Sequence, residues 1–216
     1  MAKTIGIIGA TGIAGKAITK EAILKGFNVT AIVRNKNKAI AIFGQAINYL
    51  EKDAFDLEKD QLEKFDVIID AFSPSDLKLA YRHIDLATRL ISFFRETTRP
   101  RLVFILGAGS LKNGKGEHVL DDLEKNPQAQ SWIEAPKQQF KEFDFLSQTE
   151  NVNWVGISPG LIFKAGEAQS PKIGTDTLLY SENHKSETSS GTLAKVILEE
   201  IETPTRENER FTVIDA

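Results

Sequence analysis

The chain has 216 residues, 41% of them hydrophobic and 26% charged, with a formal net charge of −3. That balance fits one domain of ordinary size with a real core, and it offers no general attraction to nucleic acid or to an anionic membrane. With no cysteine in the sequence, disulfides, zinc–thiolate sites, iron–sulfur clusters and thiol catalysis are excluded. No apolar run reaches the length of a bilayer span, and a strand pattern begins almost at Met1, so no signal peptide and a cytoplasmic location are expected.

The first apolar, β-branched run covers 4–9 and reads as a strand. A helix follows over 14–25, with Ala14, Ala17, Ile18, Ala22 and Leu24 at its apolar positions. Further strands are expected at 28–33, 46–50 and 66–71. The clearest helix spans 76–95, where Ile84, Ala87, Leu90, Ile91 and Phe94 recur at helical spacing, Ser73 or Ser75 is the expected cap and Pro100 the expected stop. After a strand at 102–106, residues 111–130 are rich in Gly, Lys, Asp and Asn and read as a long loop over the carboxyl edge of the sheet. A helix over 131–148 carries Phe140, Phe143 and Leu146, and a strand at 153–157 follows. From Leu161 the signals weaken, with Gly166, Pro171 and Gly174; short strands and loops are expected there, as a small lobe over 161–187 beside the sheet. A helix over 189–202 and a strand over 210–214 close the chain. Strand–helix alternation with nearly unbroken apolar strands predicts a single α/β domain over 1–216, a doubly wound sheet of six or seven mostly parallel strands with helices on both faces.

The strongest motif is Gly9-Ala10-Thr11-Gly12-Ile13-Ala14-Gly15, set between the first strand and the first helix. In that setting Gly9 permits a tight turn, Gly12 lets backbone approach a pyrophosphate, and Gly15 lets the helix pack closely on the strand. The helix start then offers free N–H groups and a partial positive charge to phosphates. The pattern therefore predicts a dinucleotide site of Rossmann type, although an ordinary structural turn uses glycines too. The second strand ends at Val33-Arg34-Asn35, about twenty residues beyond the turn, where an NAD-preferring site usually carries an acid. Arg34 stands there instead, followed by Lys36 and Lys38, and a guanidinium can pair bidentately with a 2′-phosphate. NADP, as NADPH, is the expected cofactor, with a solvated basic loop as the alternative.

With these residues, the chain resembles the atypical short-chain dehydrogenase/reductase superfamily, and more narrowly the NADH-flavin reductase group, itself similar to NmrA-like proteins and biliverdin reductase B. The resemblance covers essentially the whole chain and rests on the glycine turn, Val33-Arg34-Asn35, Asp53, Leu106-Gly107-Ala108-Gly109-Ser110, Ile157-Ser158-Pro159-Gly160 and Arg210-Phe211-Thr212-Val213. It implies that Asp53 bonds the adenine amino group, and that Ala71, Phe72 and Ser73 pass beside the adenosine ribose or the pyrophosphate. It likewise implies that Gly107, Ala108, Gly109 and Ser110 lie under the nicotinamide, and that Pro159, Gly160, Leu161 and Ile162 contact its end.

Many such enzymes use Tyr-x-x-x-Lys, the phenol donating a proton and the lysine lowering its pKa. Here the three tyrosines, Tyr49, Tyr81 and Tyr180, are followed four residues later by Asp53, Asp85 and His184, so the motif is absent. Alcohol–ketone chemistry by that route is disfavoured, as is an epimerase or dehydratase. Hydride transfer to a flavin or quinone asks less of the protein, because cofactor and acceptor carry the chemistry. The expected partner is such a small-molecule acceptor, with no nucleic acid and no membrane; a non-catalytic NADP(H) sensor is the alternative. Ser110 and Lys137 are the candidate catalytic residues, each equally readable as a turn cap or a solvated helix-start lysine. Trp132 sits where it could wall a flat substrate. His83, His118 and His184 lack metal spacing, so no metal is expected; His83 reads as a surface or packing residue, and His118 and His184 as candidates to approach substrate. Asp121 and Asp122 read as a solvated pair, and Phe140 and Phe143 as core.

Overall fold

The computed structural model describes residues 2–216. In chain order its elements are β1 (Thr4–Ile8), α1 (Ile13–Leu24), β2 (Asn28–Val33), α2 (Lys36–Phe43), β3 (Asn48–Glu51), α3 (Lys59–Leu62) and β4 (Val67–Asp70). These are followed by α4 (Arg82–Phe94), β5 (Thr97–Ile105), α5 (Val119–Glu124), α6 (Glu134–Ser147) and β6 (Val152–Pro159). The last third holds β7 (Ile162–Lys164), β8 (Pro171–Gly174), β9 (Glu187–Ser189), α7 (Ser190–Glu202) and β10 (Glu209–Asp215).

The main sheet runs β3-β2-β1-β4-β5-β6-β10-β8, parallel throughout except for β8, which pairs antiparallel with β10. This is a doubly wound, Rossmann-type α/β fold. The alternating side chains of each buried strand feed two separate cores. Ile5 and Ile7 of β1, with Val29 and Ala31 of β2, pack under α1 and α7 around Ile18, Leu193 and Ile197. Ile8, Ile68, Leu102 and Phe104 face the opposite way, against Leu86, Leu90 and Phe94 of α4 and Leu146 of α6. The period-2 strands and the helical stripes thus meet as the sequence pattern requires. No helix among the described residues is long and apolar enough to cross a membrane.

Several expectations change. The stop at Pro100 is not seen: α4 ends at Phe94, Glu96 turns the chain at φ 59°, and Pro100 lies inside β5. Neither Ser73 nor Ser75 caps that helix; Asp76 caps a preceding 3-10 turn by accepting from the Lys78 N–H, 2.9 Å. The basic stretch after β2 is a helix, α2, because Asn35 caps it by accepting from the Lys38 N–H, 2.8 Å. The loop expected over 111–130 contains α5, started by Asp121, which accepts from the His118 N–H, 2.9 Å. Asp122 is also engaged, accepting from the Asn113 amide at 2.8 Å, so neither acid is merely solvated. The stretch expected as a lobe over 161–187 divides: β7 pairs with β9 in a two-stranded sheet, while β8 extends the edge of the main one.

Candidate functional site

A cleft of about 1030 Å³ lies over the carboxyl ends of the strands. The chain builds outward from β1 to β2 and β3, then returns to β4 on the other side of β1. Loops after β1 and β4 therefore diverge and leave a crevice, the usual ligand position in an open parallel sheet. At its centre is the glycine turn. Gly9 has φ +73°, and a Cβ there would come within 2.6 Å of the Ala71 carbonyl oxygen. A Cβ on Gly15 would overlap the Gly9 carbonyl oxygen, so α1 sits directly on the turn. Gly15 is buried packing and does not line the cleft, whereas Gly9, Thr11, Gly12 and Ile13 do. Gly12, as N-cap, brings no side chain, so the first-turn N–H groups of α1 are uncapped beside the cleft.

Towards β2 and β3 the lining is charged. Arg34 is exposed and forms no ion pair among the described residues; Lys38 and Lys52 line the same end. Lys36 does not line the cleft; its backbone N–H donates to Glu51 Oε1 at 2.8 Å. Asp53 lines the cleft and accepts from the Phe55 N–H at 3.0 Å, which leaves its second carboxylate oxygen free of that bond. Ala71, Phe72 and Ser73 form the adjoining wall after β4, with Phe72 edge-on to Phe55 at 5.6 Å and the Arg82 guanidinium 4.2 Å above the Phe55 ring.

Towards β5 and β6 the lining is apolar. Gly107, Ala108 and Gly109 form the floor, and Ser158 holds it by donating from Oγ to the Gly107 carbonyl, 2.9 Å. Pro159, Gly160 and Leu161 form the far wall, pinned where the Gly160 N–H donates to Thr188 Oγ1 at 2.8 Å and the Leu161 N–H to Ser186 Oγ at 3.2 Å. Ile13, Trp132, Leu161 and Ile162 leave 43–56% of their surface open, and all four line the cleft. Large apolar side chains left uncovered on a concave wall favour a ligand that covers them. Uncapped helix N–H groups at the centre, a cation at one end and flat apolar walls at the other fit the parts of a dinucleotide.

The two candidate catalytic residues are not brought to the cleft. Ser110 is 2% exposed and points beneath the floor, accepting from Arg210 Nη1 at 2.9 Å. Arg210 in turn donates to Asp176 at 2.6 Å. Lys137 pairs with Glu124 at 3.0 Å and ties α6 to α5. Of the histidines, His118 is fixed between Lys112 (2.8 Å) and the Ser110 carbonyl (3.0 Å), His184 lies exposed in a turn, and His83 is buried rather than a surface residue. No cluster of three or more His, Asp or Glu among the described residues is placed to hold a metal ion.

Sequence reasoning missed a buried polar group behind the Phe72 wall. Asp70, at the end of β4, accepts from the Phe72 N–H at 2.9 Å. His83 stands edge-on to Phe72 at 5.9 Å, and its Nδ1 lies 3.9 Å from Glu142 Oε2. Burial pushes the Asp70 carboxyl up to about 7, against the opposing pull of the Phe72 N–H. Burial, reinforced by the nearby Asp70, lifts Glu142 well above the usual carboxylate range, while burial lowers His83 to about 4. The apolar strand run Val67-Ile68-Ile69 ending in an acid was the available signal for Asp70. Gln139, which also lines the cleft, gave none beyond its place on a helix.

Comparison with known proteins agrees with this geometry. Residues 9–204 match the family described as NAD(P)H-binding. The protein YwnB of Bacillus subtilis (strain 168), itself uncharacterized, is 34% identical over 214 residues, 97% of each chain. A solved protein from Lactobacillus casei has 37% identity and a TM-score of 0.90 over 99% of each chain. The structure of SP1627 from Streptococcus pneumoniae TIGR4, provisionally called an NADH-flavin reductase, has 29% identity and a TM-score of 0.89 over 100% of each chain.

A Cβ on Gly12 would meet only the Gly9 carbonyl oxygen, at 3.3 Å. Gly12→Val is therefore expected to cost less stability than Gly15→Ala while lowering NAD(P)H affinity at least about 100-fold, on the order of 3 kcal/mol. Gly15→Ala should lose stability, by about 1–3 kcal/mol in urea titrations, because backbone must move. For Asp70 the folded pKa of about 7 lies above the ordinary 3.8, so the fold favours the protonated acid. Its contribution is complete below the ordinary value and is lost as pH rises through 7. Between about pH 4 and about pH 7 Asp70 lowers the urea midpoint as pH rises, while His83, lowered to about 4, raises it; Asp70→Asn should remove the downward share across that window, and an unchanged slope would refute the assignment.

Proposed function

The chain belongs to the NAD(P)H-binding family, and on that premise we propose that it is an NADPH-dependent oxidoreductase passing hydride to a flat conjugated acceptor of the flavin or quinone type. The observation that carries this reading is the distribution of residue types along one cleft: a free cation and uncapped helix N–H groups lead into flat apolar walls that include no tyrosine. The provisional name of SP1627 points the same way.

When bound, the cofactor supplies hydride from its reduced nicotinamide ring. The chain's own groups bind and orient. Arg34 pairs with the 2′-phosphate, where a bidentate guanidinium contact distinguishes NADPH from NADH. The start of α1 holds the pyrophosphate through the N–H groups after Gly12. Asp53 accepts from the adenine amino group with the oxygen not bonded to Phe55. The Gly107–Gly109 floor and the wall at Pro159, Gly160 and Leu161 fix the nicotinamide ring, and Trp132 and Ile162 exclude water beside it. Proton delivery falls to solvent, since Ser110 and Lys137 are engaged with Arg210 and Glu124. Those same engagements favour the second reading, a non-catalytic NADP(H) sensor, because they leave no side-chain acid or base at the acceptor end.

Oxidation of NADPH, followed at 340 nm with FMN, riboflavin or menadione, separates the two. Turnover supports the reductase; tight NADPH binding with no turnover on any acceptor supports the sensor. In either case Arg34→Ala should weaken NADPH by about 2–3 kcal/mol and leave NADH nearly unchanged. Equal losses for both cofactors would sink the NADPH preference.

A further inference from the structure

Charge is confined to one half of the cleft. Its charged side chains, Arg34, Lys38, Lys52, Asp53, Asp76 and Arg82, all come from the segments that follow β2, β3 and β4. The half built after β5 and β6 contributes none. Only two residues with polar side-chain groups line the cleft there, Gln139 and Trp132. An ionised group bound in that half would lose water and gain no counter-charge, which costs several kcal/mol.

Gln139 is placed with care. A Cβ on Gly107 would overlap Gln139 Oε1, so the glycine is what lets the amide lie flat against the floor of the cleft. That amide is half-buried and makes no side-chain hydrogen bond among the described residues. Its neighbour on α6, Gln138, is by contrast tied to Glu134 at 2.6 Å. A ligand that covers an unpaired amide without bonding it leaves a desolvated polar group unsatisfied, so the favoured ligand brings a complementary polar edge.

We propose that the β5–β6 half of the cleft selects an uncharged, flat ring bearing a carbonyl or imide edge, which Gln139 recognises through its amide while Trp132 covers one face. This rests on reading the cleft as the site of an NADPH-dependent reductase, and it adds the selecting residue and the charge rule. A quinone carbonyl accepts from the Gln139 N–H, and a ring imide both donates to Oε1 and accepts from the N–H.

The test is binding rather than turnover. Menadione and 1,4-naphthoquinone-2-sulfonate are titrated into the protein saturated with tetrahydro-NADPH, whose reduced ring is uncharged and donates no hydride, with tryptophan fluorescence as the readout. Trp132 is 43% exposed and Trp154 is buried at 1%, so quenching by a cleft ligand reports Trp132. Menadione should bind about tenfold or more tightly than the sulfonate. Gln139→Leu and Gln139→Glu should each weaken menadione about tenfold, with tetrahydro-NADPH affinity and melting temperature unchanged. Equal affinity for the two quinones, or a Gln139→Leu protein that binds menadione as the parent does, overturns the proposal. Turnover of both quinones with no preference would refute it and leave the reductase reading standing. Gln139-dependent binding of menadione without NADPH consumption would do the reverse.

Discussion

Everything at the cleft hangs on one contact, the seating of Gly15 against the Gly9 carbonyl. Because no Cβ intervenes, α1 starts directly over the end of β1 rather than a side-chain diameter away. Gly9, at φ +73°, meets the Ala71 carbonyl on its other side, so the ends of β1 and β4 are drawn together at the point where the strand order diverges. A Cβ at either position forces backbone apart and opens this junction. A Cβ on Gly12 would press on the same Gly9 carbonyl oxygen less closely, at 3.3 Å, so its missing side chain serves the cleft as well as the fold.

This division of labour explains what could be read from the sequence. Strands β1, β2, β4, β5, β6 and β10 are runs of buried apolar side chains, visible as nearly unbroken apolar stretches because both faces of the sheet are covered. The glycine turn and Arg34 were legible because backbone geometry and strand order fix where they go. Strand β8 was not: four residues beginning with Pro171, half-exposed at the sheet edge, carry no period. Helix α5 is six residues long and begins with an exchange between His118 and Asp121 that only a folded loop reveals. Ser110 follows the motif expected under the nicotinamide, yet its hydroxyl turns to Arg210, one hundred residues away. Side-chain direction at a turn depends on such distant partners, and a single sequence does not display them.

The buried group behind Phe72 illustrates a related limit. Asp70, His83 and Glu142 come from β4, α4 and α6, and nothing in their spacing associates them. Brought together and buried, each is shifted toward its uncharged form. Each one charged would cost several kcal/mol in that position, more than an edge-on contact with Phe72, about 0.5–1.5 kcal/mol, returns. Their protons therefore matter to the set of the Ala71–Ser73 wall, through the Asp70 bond to the Phe72 N–H, and not to any group in the cleft.

The absence of a phenol acid is best weighed against what the acceptor end does contain. General acid catalysis is worth about 10²–10⁴ where a substrate oxygen must be protonated as hydride arrives. A flat conjugated acceptor spreads the incoming charge over its own ring and edge atoms, so that contribution is less needed, and alignment of the two rings dominates. On the proposed reading, an apolar half-cleft with a single amide would supply alignment: Trp132 and Leu161 would limit where a ring can lie, and Gln139, which packs against Gly107, would limit how it is rotated. A charged acid or base in the same space would have to be desolvated to act. On the proposed reading the missing Tyr-x-x-x-Lys would be the counterpart of a site that reads shape and one polar edge, with the charge that would discriminate the cofactor kept at the opposite end of the cleft.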